Sequence, residues 1–188
     1  MAWGDPTISV RGVSLETRYA GPSPSEAPTL VLLHEGLGSA GLWRDFPERL
    51  SKATGFGVAA YSRAGYGQSD PVSLPRPLDY MTREATQVLP HFLDAIGFKR
   101  GLLMGHSDGA TIAAIYAGSI EDFRVRGTIL MAPHFFTEEL GLTEIARARE
   151  AYATTDLRAR MAKHHRDPDN AFRGWNDAWL DPGFRSWN

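Results

Sequence analysis

Gly105-His106-Ser107-Asp108-Gly109 is the segment of this chain best suited to do chemistry. Its pattern, G-x-S-x-G, fits a sharp turn between a strand and a helix. Such a turn holds its middle residue in a strained backbone conformation with the side chain exposed. The residues two before and two after it lie so close that only small ones fit, and here both are glycine. Ser107 also falls near a helix N-terminus, whose dipole and free N–H groups favour developing negative charge. A hydroxyl nucleophile beside N–H donors is the equipment of acyl transfer. The plain alternative is a glycine-bounded turn with an incidental serine. Context favours the chemistry: the apolar strand Gly101 to Met104 runs into the turn, and a helix carrying Thr111, Ala114 and Ala117 leaves it.

His34-Glu35-Gly36-Leu37-Gly38-Ser39 is the second candidate. Acyl transfer needs backbone N–H donors facing the oxyanion. One comes from the residue after the nucleophile, Asp108, and the other from the loop after an earlier strand. A glycine-rich loop lets backbone approach a substrate closely. Alone, this loop reads as an ordinary strand-to-helix turn; coupled to the elbow, it reads as half of a site. The run Gly36 to Gly41 also matches G-x-G-x-x-G, and Arg63 follows the next strand, where a 2′-phosphate partner would sit. An NADP-binding oxidoreductase is therefore a rival reading. Glu35 argues against it by placing a carboxylate beside the pyrophosphate, and the fingerprint leaves the elbow unexplained. No cofactor and no metal is expected.

These residues must be positioned by alternating strands and helices. Ile8 to Val10 and Val13 to Tyr19 read as an edge hairpin around Arg11-Gly12. Thr29 to Leu33 is a continuous apolar run, the signature of a strand buried on both faces. Trp43, Phe46 and Leu50 sit at helical spacing on a first helix, and Phe56 to Tyr61 is a second buried strand. Leu78, Met81, Ala85, Val88, Leu89, Phe92, Leu93 and Ile96 trace one face of a long helix that Pro90 must kink or interrupt. Gly127 to Ala132 is a fourth strand of the core. From Thr137 onward the pattern is helical. The alternation predicts an α/β fold: a mostly parallel sheet with helices on both faces.

Composition bounds the rest. With 188 residues, one domain is expected, able to bury roughly two-thirds of its unfolded surface or more. There is no cysteine, which excludes disulfides, thiolate metal sites and a cysteine nucleophile. Twenty basic against twenty-two acidic residues give a net charge of −2, without the basic excess of a nucleic-acid binder. No run approaches the about 20 apolar residues of a membrane span. Met1 to Pro6 lacks the basic start and apolar stretch of a signal peptide, so a cytoplasmic protein acting on a small-molecule substrate is expected. Oligomeric state is not readable.

Together, Leu30-Val31-Leu32-Leu33-His34, Gly36-Leu37-Gly38-Ser39, Trp43, Tyr61 to Asp70 and the elbow resemble the alpha/beta-hydrolase superfamily, in its serine-nucleophile branch. The resemblance implies that Ser107 is the nucleophile and that the N–H groups of Gly36 and Asp108 form the oxyanion hole. Glu35 stands where the family often has glycine. Ser107 argues against branches with an aspartate nucleophile, such as dehalogenases and epoxide hydrolases. The resemblance divides the chain into a partial core, residues 1–134, and a helical lid, residues 135–188. It also implies a hydrolase forming an acyl-enzyme on an ester-like or carbon–carbon substrate.

The departure from the family lies in the triad. Its acid and histidine follow strands beyond the lid, which this sequence does not contain. The chain is thus expected to be incomplete, lacking the C-terminal strands, and weakly active alone; an inactive or binding-only fragment is the alternative. Among His34, His91, His106, His134, His164 and His165, His134 follows the fourth core strand on the active-site side and is the first candidate for a base. Arg158, Arg160, Lys163, His164, His165 and Arg166 read as a solvated face rather than an anion patch. Phe172, Trp175 and Trp179 repeat at helical spacing and either line a pocket or bury a helix.

Overall fold

A computed structural model describes residues 3–188; Met1 and Ala2, the start of the segment compared with a signal peptide, lie outside it. Six strands form one sheet in the order β1-β2-β4-β3-β5-β6. They are β1 (Thr7–Val10), β2 (Val13–Ala20), β3 (Thr29–Leu33), β4 (Gly57–Tyr61), β5 (Gly101–His106) and β6 (Val125–Met131). β1 and β2 pair antiparallel across Arg11 and Gly12, both at positive φ, as a tight hairpin turn of the right twist requires. β2 meets β4 antiparallel, and β4, β3, β5 and β6 run parallel.

Why β3 and β4 are apolar throughout follows from the layers. Alternate side chains leave opposite faces of a strand. Val31 and Leu33 pack on one face with Leu89, Phe92, Ile112 and Tyr116. Leu30 and Leu32 pack on the other with Val58, Ala60, Phe46 and Leu50. The first face is covered by α2 (Tyr80–Arg83), α3 (Leu89–Ala95) and α4 (Asp108–Ser119), the second by α1 (Phe46–Thr54). β6 forms the edge opposite β1 and is only partly covered, with Ile129 exposed.

One expectation needs correction. Trp43 is not on the first helix: it closes a separate 3-10 turn, Ala40–Trp43, and Arg44 at φ 51° breaks the chain before α1. Left-handed backbone cannot continue a right-handed helix. The long helix before β5 runs without a gap from Tyr80 to Ala95 and is locally irregular ahead of Pro90, as expected. Pro90 lacks an N–H and its ring crowds the carbonyl four residues earlier. The chain answers with a wide π turn, Glu84–Val88, in which Leu89 N–H donates to Glu84 O, and Pro90 follows as the second residue of α3.

After β6 come α5 (Glu139–Thr154), α6 (Leu157–Met161) and α7 (Pro168–Trp179). They are tied to the rest in two places: Leu142, Ile145, Ala178 and Trp179 join the sheet core of Val31 and Leu33, and Met161 and Phe172 form a second cluster with Tyr66 and Leu37. Among the described residues no helix is long and apolar enough to cross a membrane.

Candidate active site

Ser107 sits between β5 and α4 at φ 52°, ψ −120°. A non-glycine residue adopts that conformation only where its surroundings impose it. Here they do. The Ser107 N–H donates to Met131 O at 2.9 Å, and the Ser107 carbonyl accepts from Ala110 and Thr111. A Cβ on Gly105 would come within 2.2 Å of Gly109 O, and one on Gly109 within 2.0 Å of Leu33 O. The glycine pair is thus what lets β5, β3 and α4 converge at the turn.

His134, three residues beyond β6, reaches back to this turn: its Nε2 lies 3.1 Å from Ser107 Oγ. Thr111 fixes its backbone twice, donating from Oγ1 to His134 O at 2.8 Å and accepting from His134 N–H at 2.9 Å. The Trp179 ring meets the imidazole edge-on, with centroids 5.0 Å apart. Among the described residues Nδ1 makes no hydrogen bond, so no carboxylate orients the ring. A hydroxyl and an imidazole at this distance can exchange a proton. The other histidines are placed elsewhere: His91 and His164 are exposed, His106 faces Glu35 at 3.9 Å, and His34 and His165 are buried.

The loop after β3 faces the elbow. The N–H groups of Gly36 and Asp108 make no hydrogen bond among the described residues. Both flank a cavity of about 280 Å³ lined by Leu37, Ser107, His134, Ile145, Trp175 and Trp179 among others. Phe172 instead stacks on Tyr152 within the C-terminal helices, 3.9 Å between centroids. The aromatic repeat on α7 therefore divides: Phe172 buries the helix, while Trp175 and Trp179 line the cavity. The Trp175 indole lies across Gly36, where a pyrophosphate would approach a dinucleotide-binding loop.

Behind the cavity, Arg63 joins the two halves. It is fully buried and donates to His34 O at 2.7 Å and Glu35 O at 3.1 Å, with Asp108 Oδ2 at 3.8 Å. Its backbone N–H donates to His34 Nε2 at 3.1 Å. His34 Nδ1–H donates to Glu35 O at 2.7 Å. Burial, and next the Arg63 guanidinium, hold the His34 imidazole well below its ordinary range, so it stays neutral. Trp179 Nε1–H donates to the Tyr80 hydroxyl, which donates to Asp108. α7 is thereby wired to the residue after Ser107.

His165 leaves the charged face on which it was expected. Its neighbours on that face are solvated: Arg158 pairs with Asp169, Arg160 with Asp156 and Arg166 with Asp70. His165 turns inward, accepts from Gly67 N–H at Nδ1 (3.0 Å) and donates from Nε2 to Leu37 O (3.1 Å). Acceptance at Nδ1 requires the neutral ring, since both nitrogens of the imidazolium are donors. Burial lowers its pKa, so its contribution is complete above the unfolded histidine value and is lost as pH falls through the lower folded one. The midpoint of thermal unfolding is expected to drop between about pH 7 and about pH 5. His165→Gln, which can accept and donate without titrating, should reduce that drop; His34 supplies the remainder. An unchanged pH slope in His165→Gln would refute the assignment.

Comparison with known proteins agrees with this architecture. Residues 28–181 match the family model described as alpha/beta hydrolase fold, and the chain belongs to that family. It is 31% identical over 134 residues to the serine hydrolase BPHL of Homo sapiens, covering 70% of this chain and 44% of that protein. It is 28% identical over 110 residues to epoxide hydrolase B of Mycobacterium tuberculosis, covering 58% of this chain and 30% of that protein. The chain thus spans less than half the length of these relatives. The enol-lactonase of Burkholderia xenovorans LB400 superposes with a TM-score of 0.65 at 19% identity, covering 96% of this chain and 73% of that one.

Local sequence assigns no role to Tyr80 or to the Asp108 side chain. Arg63 is legible there only as a phosphate partner; that a buried guanidinium collects two loop carbonyls has no local signature. Glu35 does not displace Gly36 from the elbow's side, because its carboxylate turns to Gly38 and His106.

Proposed function

We propose that this chain carries the nucleophile of a serine hydrolase that passes through an acyl-enzyme. Ser107 Oγ attacks the carbonyl carbon of an ester-like substrate. The Oγ–H proton moves to His134 Nε2, the Oγ–C bond forms, and the carbonyl electron pair goes to oxygen. Gly36 and Asp108 N–H groups face that oxygen, at the N-terminus of α4 where negative charge is favoured. The tetrahedral adduct collapses, the C–O bond to the leaving alcohol breaks, and the imidazolium returns its proton to the alcohol. Water then hydrolyses the acyl-enzyme by the same route. Leu37, Ile145, Trp175 and Trp179 give the acyl group an apolar seat, which assigns the C-terminal helices the role of a lid.

The observation that carries this reading is Ser107 on its left-handed turn, 3.1 Å from His134. A serine rather than a carboxylate at that turn favours the BPHL-like chemistry over that of the epoxide hydrolases. Without a carboxylate behind His134, the pair works as a dyad, about 10⁴-fold slower than a full triad. Carbon–carbon substrates remain within the same chemistry, since the nucleophile attacks a carbonyl in either case. A fluorophosphonate probe, with the modified peptide identified by mass spectrometry, tests the proposal. Labelling at Ser107 alone is expected. An unlabelled chain would favour the binding-only alternative, and a label that persists in Ser107→Ala would remove Ser107 from the role.

A further inference from the structure

Trp175 is the odd residue of the cavity. A Cβ on Gly36 would lie 2.2 Å from Trp175 Nε1, 2.6 Å from Cδ1 and 2.9 Å from Cε2. The indole therefore presents its N–H edge, not its benzo ring, to the loop that supplies one oxyanion donor. Only a residue without a side chain fits beneath it. Trp175 also lines the cavity into which Ser107 opens, and among the described residues its N–H makes no hydrogen bond. An indole N–H can only donate, and packed indoles usually find an acceptor. Trp179, one turn along the same helix, shows the contrast: its N–H is taken by Tyr80.

The placement of Trp175 is built, not incidental. α7 starts at Asp167, whose side chain accepts from Asn170 N–H. Asn170 exchanges two hydrogen bonds with the Val72 backbone, at 3.1 and 2.8 Å. His165 clamps the preceding turn to Leu37 and Gly67. Phe172 meets the Trp175 ring edge-on at 6.2 Å. The contacts with Leu37, Gly67 and Val72 come from the loops after β3 and β4, so the helix is referenced to the oxyanion loop itself.

Resting on the serine-hydrolase reading, we infer that Trp175 Nε1–H is a third donor to the substrate's carbonyl oxygen, beside the N–H groups of Gly36 and Asp108. It makes the lid part of the oxyanion hole. The donor lies beside Gly36 on a partly water-excluded wall, where a hydrogen bond to a developing anion is worth most. Substrates whose acyl oxygen reaches the loop only with the lid docked are then favoured over those that bind with it displaced.

Phenylboronic acid supplies the test: the Ser107 Oγ–H proton passes to His134 Nε2, Oγ bonds to boron, and the boron becomes a tetrahedral anion with a hydroxyl in the oxyanion position. In the ¹⁵N-labelled full chain, the indole cross-peak missing from Trp175→Phe is expected to move downfield on adduct formation. Trp175→Phe should bind the boronate about 10- to 100-fold more weakly, the worth of one hydrogen bond to a charged acceptor. If that variant does not fold, benzothienylalanine at position 175 keeps the ring shape and removes only the N–H. A Ser107-dependent adduct that leaves the Trp175 cross-peak and the affinity unchanged overturns this inference while the serine-hydrolase reading stands. Absence of any Ser107-dependent adduct, together with absence of fluorophosphonate labelling, overturns that reading and this inference with it.

Discussion

Alanine at Ser107 and alanine at His134 are each expected to slow p-nitrophenyl ester hydrolysis by about 10²-fold, and the double variant by no more than either alone. The magnitude follows from how triads behave. Removing the acid costs about 3 × 10⁴ and removing the whole triad about 2 × 10⁶, so a serine–histidine pair without its carboxylate is worth about 10². What remains is supplied by the oxyanion donors and binding. Non-additivity is expected because the proposal has the two groups share one proton transfer across the 3.1 Å contact. His134→Gln should behave like His134→Ala, since an amide can hold the hydroxyl but cannot take its proton. The rate of fluorophosphonate labelling gives a second readout that needs no leaving alcohol. If His134→Ala labels as fast as the parent chain, the base lies elsewhere and the proton-transfer assignment is wrong.

Arg63→Met is expected to cost about 3–5 kcal/mol in chemical denaturation, the cost of removing one partner from a buried charge pair. The guanidinium is fully buried and satisfies His34 O and Glu35 O while facing Asp108. Methionine fills much of the volume but leaves His34 O without its donor, Glu35 O with only the His34 ring and Gly38 N–H, and a buried carboxylate with only Tyr80. Asp108→Asn added to Arg63→Met should recover part of the loss, because the stranded charge is then gone. Arg63→Lys should fall between, since one ammonium cannot fork to two carbonyls and a carboxylate. A loss under about 1 kcal/mol for Arg63→Met would show that the pair is not what holds the two loops together.

Much of the frame is legible in the amino-acid sequence alone. The run Thr29 to Leu33 announces a strand covered on both faces because every one of its side chains must leave water. The elbow is readable because its geometry excludes side chains at Gly105 and Gly109, and exclusion leaves a mark at fixed spacing. Hairpin, sheet and the order of loops follow from such local rules. Helix interruptions are readable only in part: Pro90 announces a break, but the π turn before it is a response of the packed chain.

The site divides along the same line. Ser107 and the loop at Gly36 are specified by local sequence, since the roles proposed for them depend on their own backbone. The partnership of Ser107 with His134 depends on β6 lying beside β5 and on Thr111 gripping the residue 23 positions later, which no local pattern encodes. The same holds for His165, Arg63 and Trp175. Each has an ordinary helix or loop context in the sequence, and each is made specific by burial against a segment distant in the chain. Periodicity and turn chemistry act within a few residues and are legible there. Pairing of polar groups across the fold is decided only when packing removes water and every buried donor must find an acceptor.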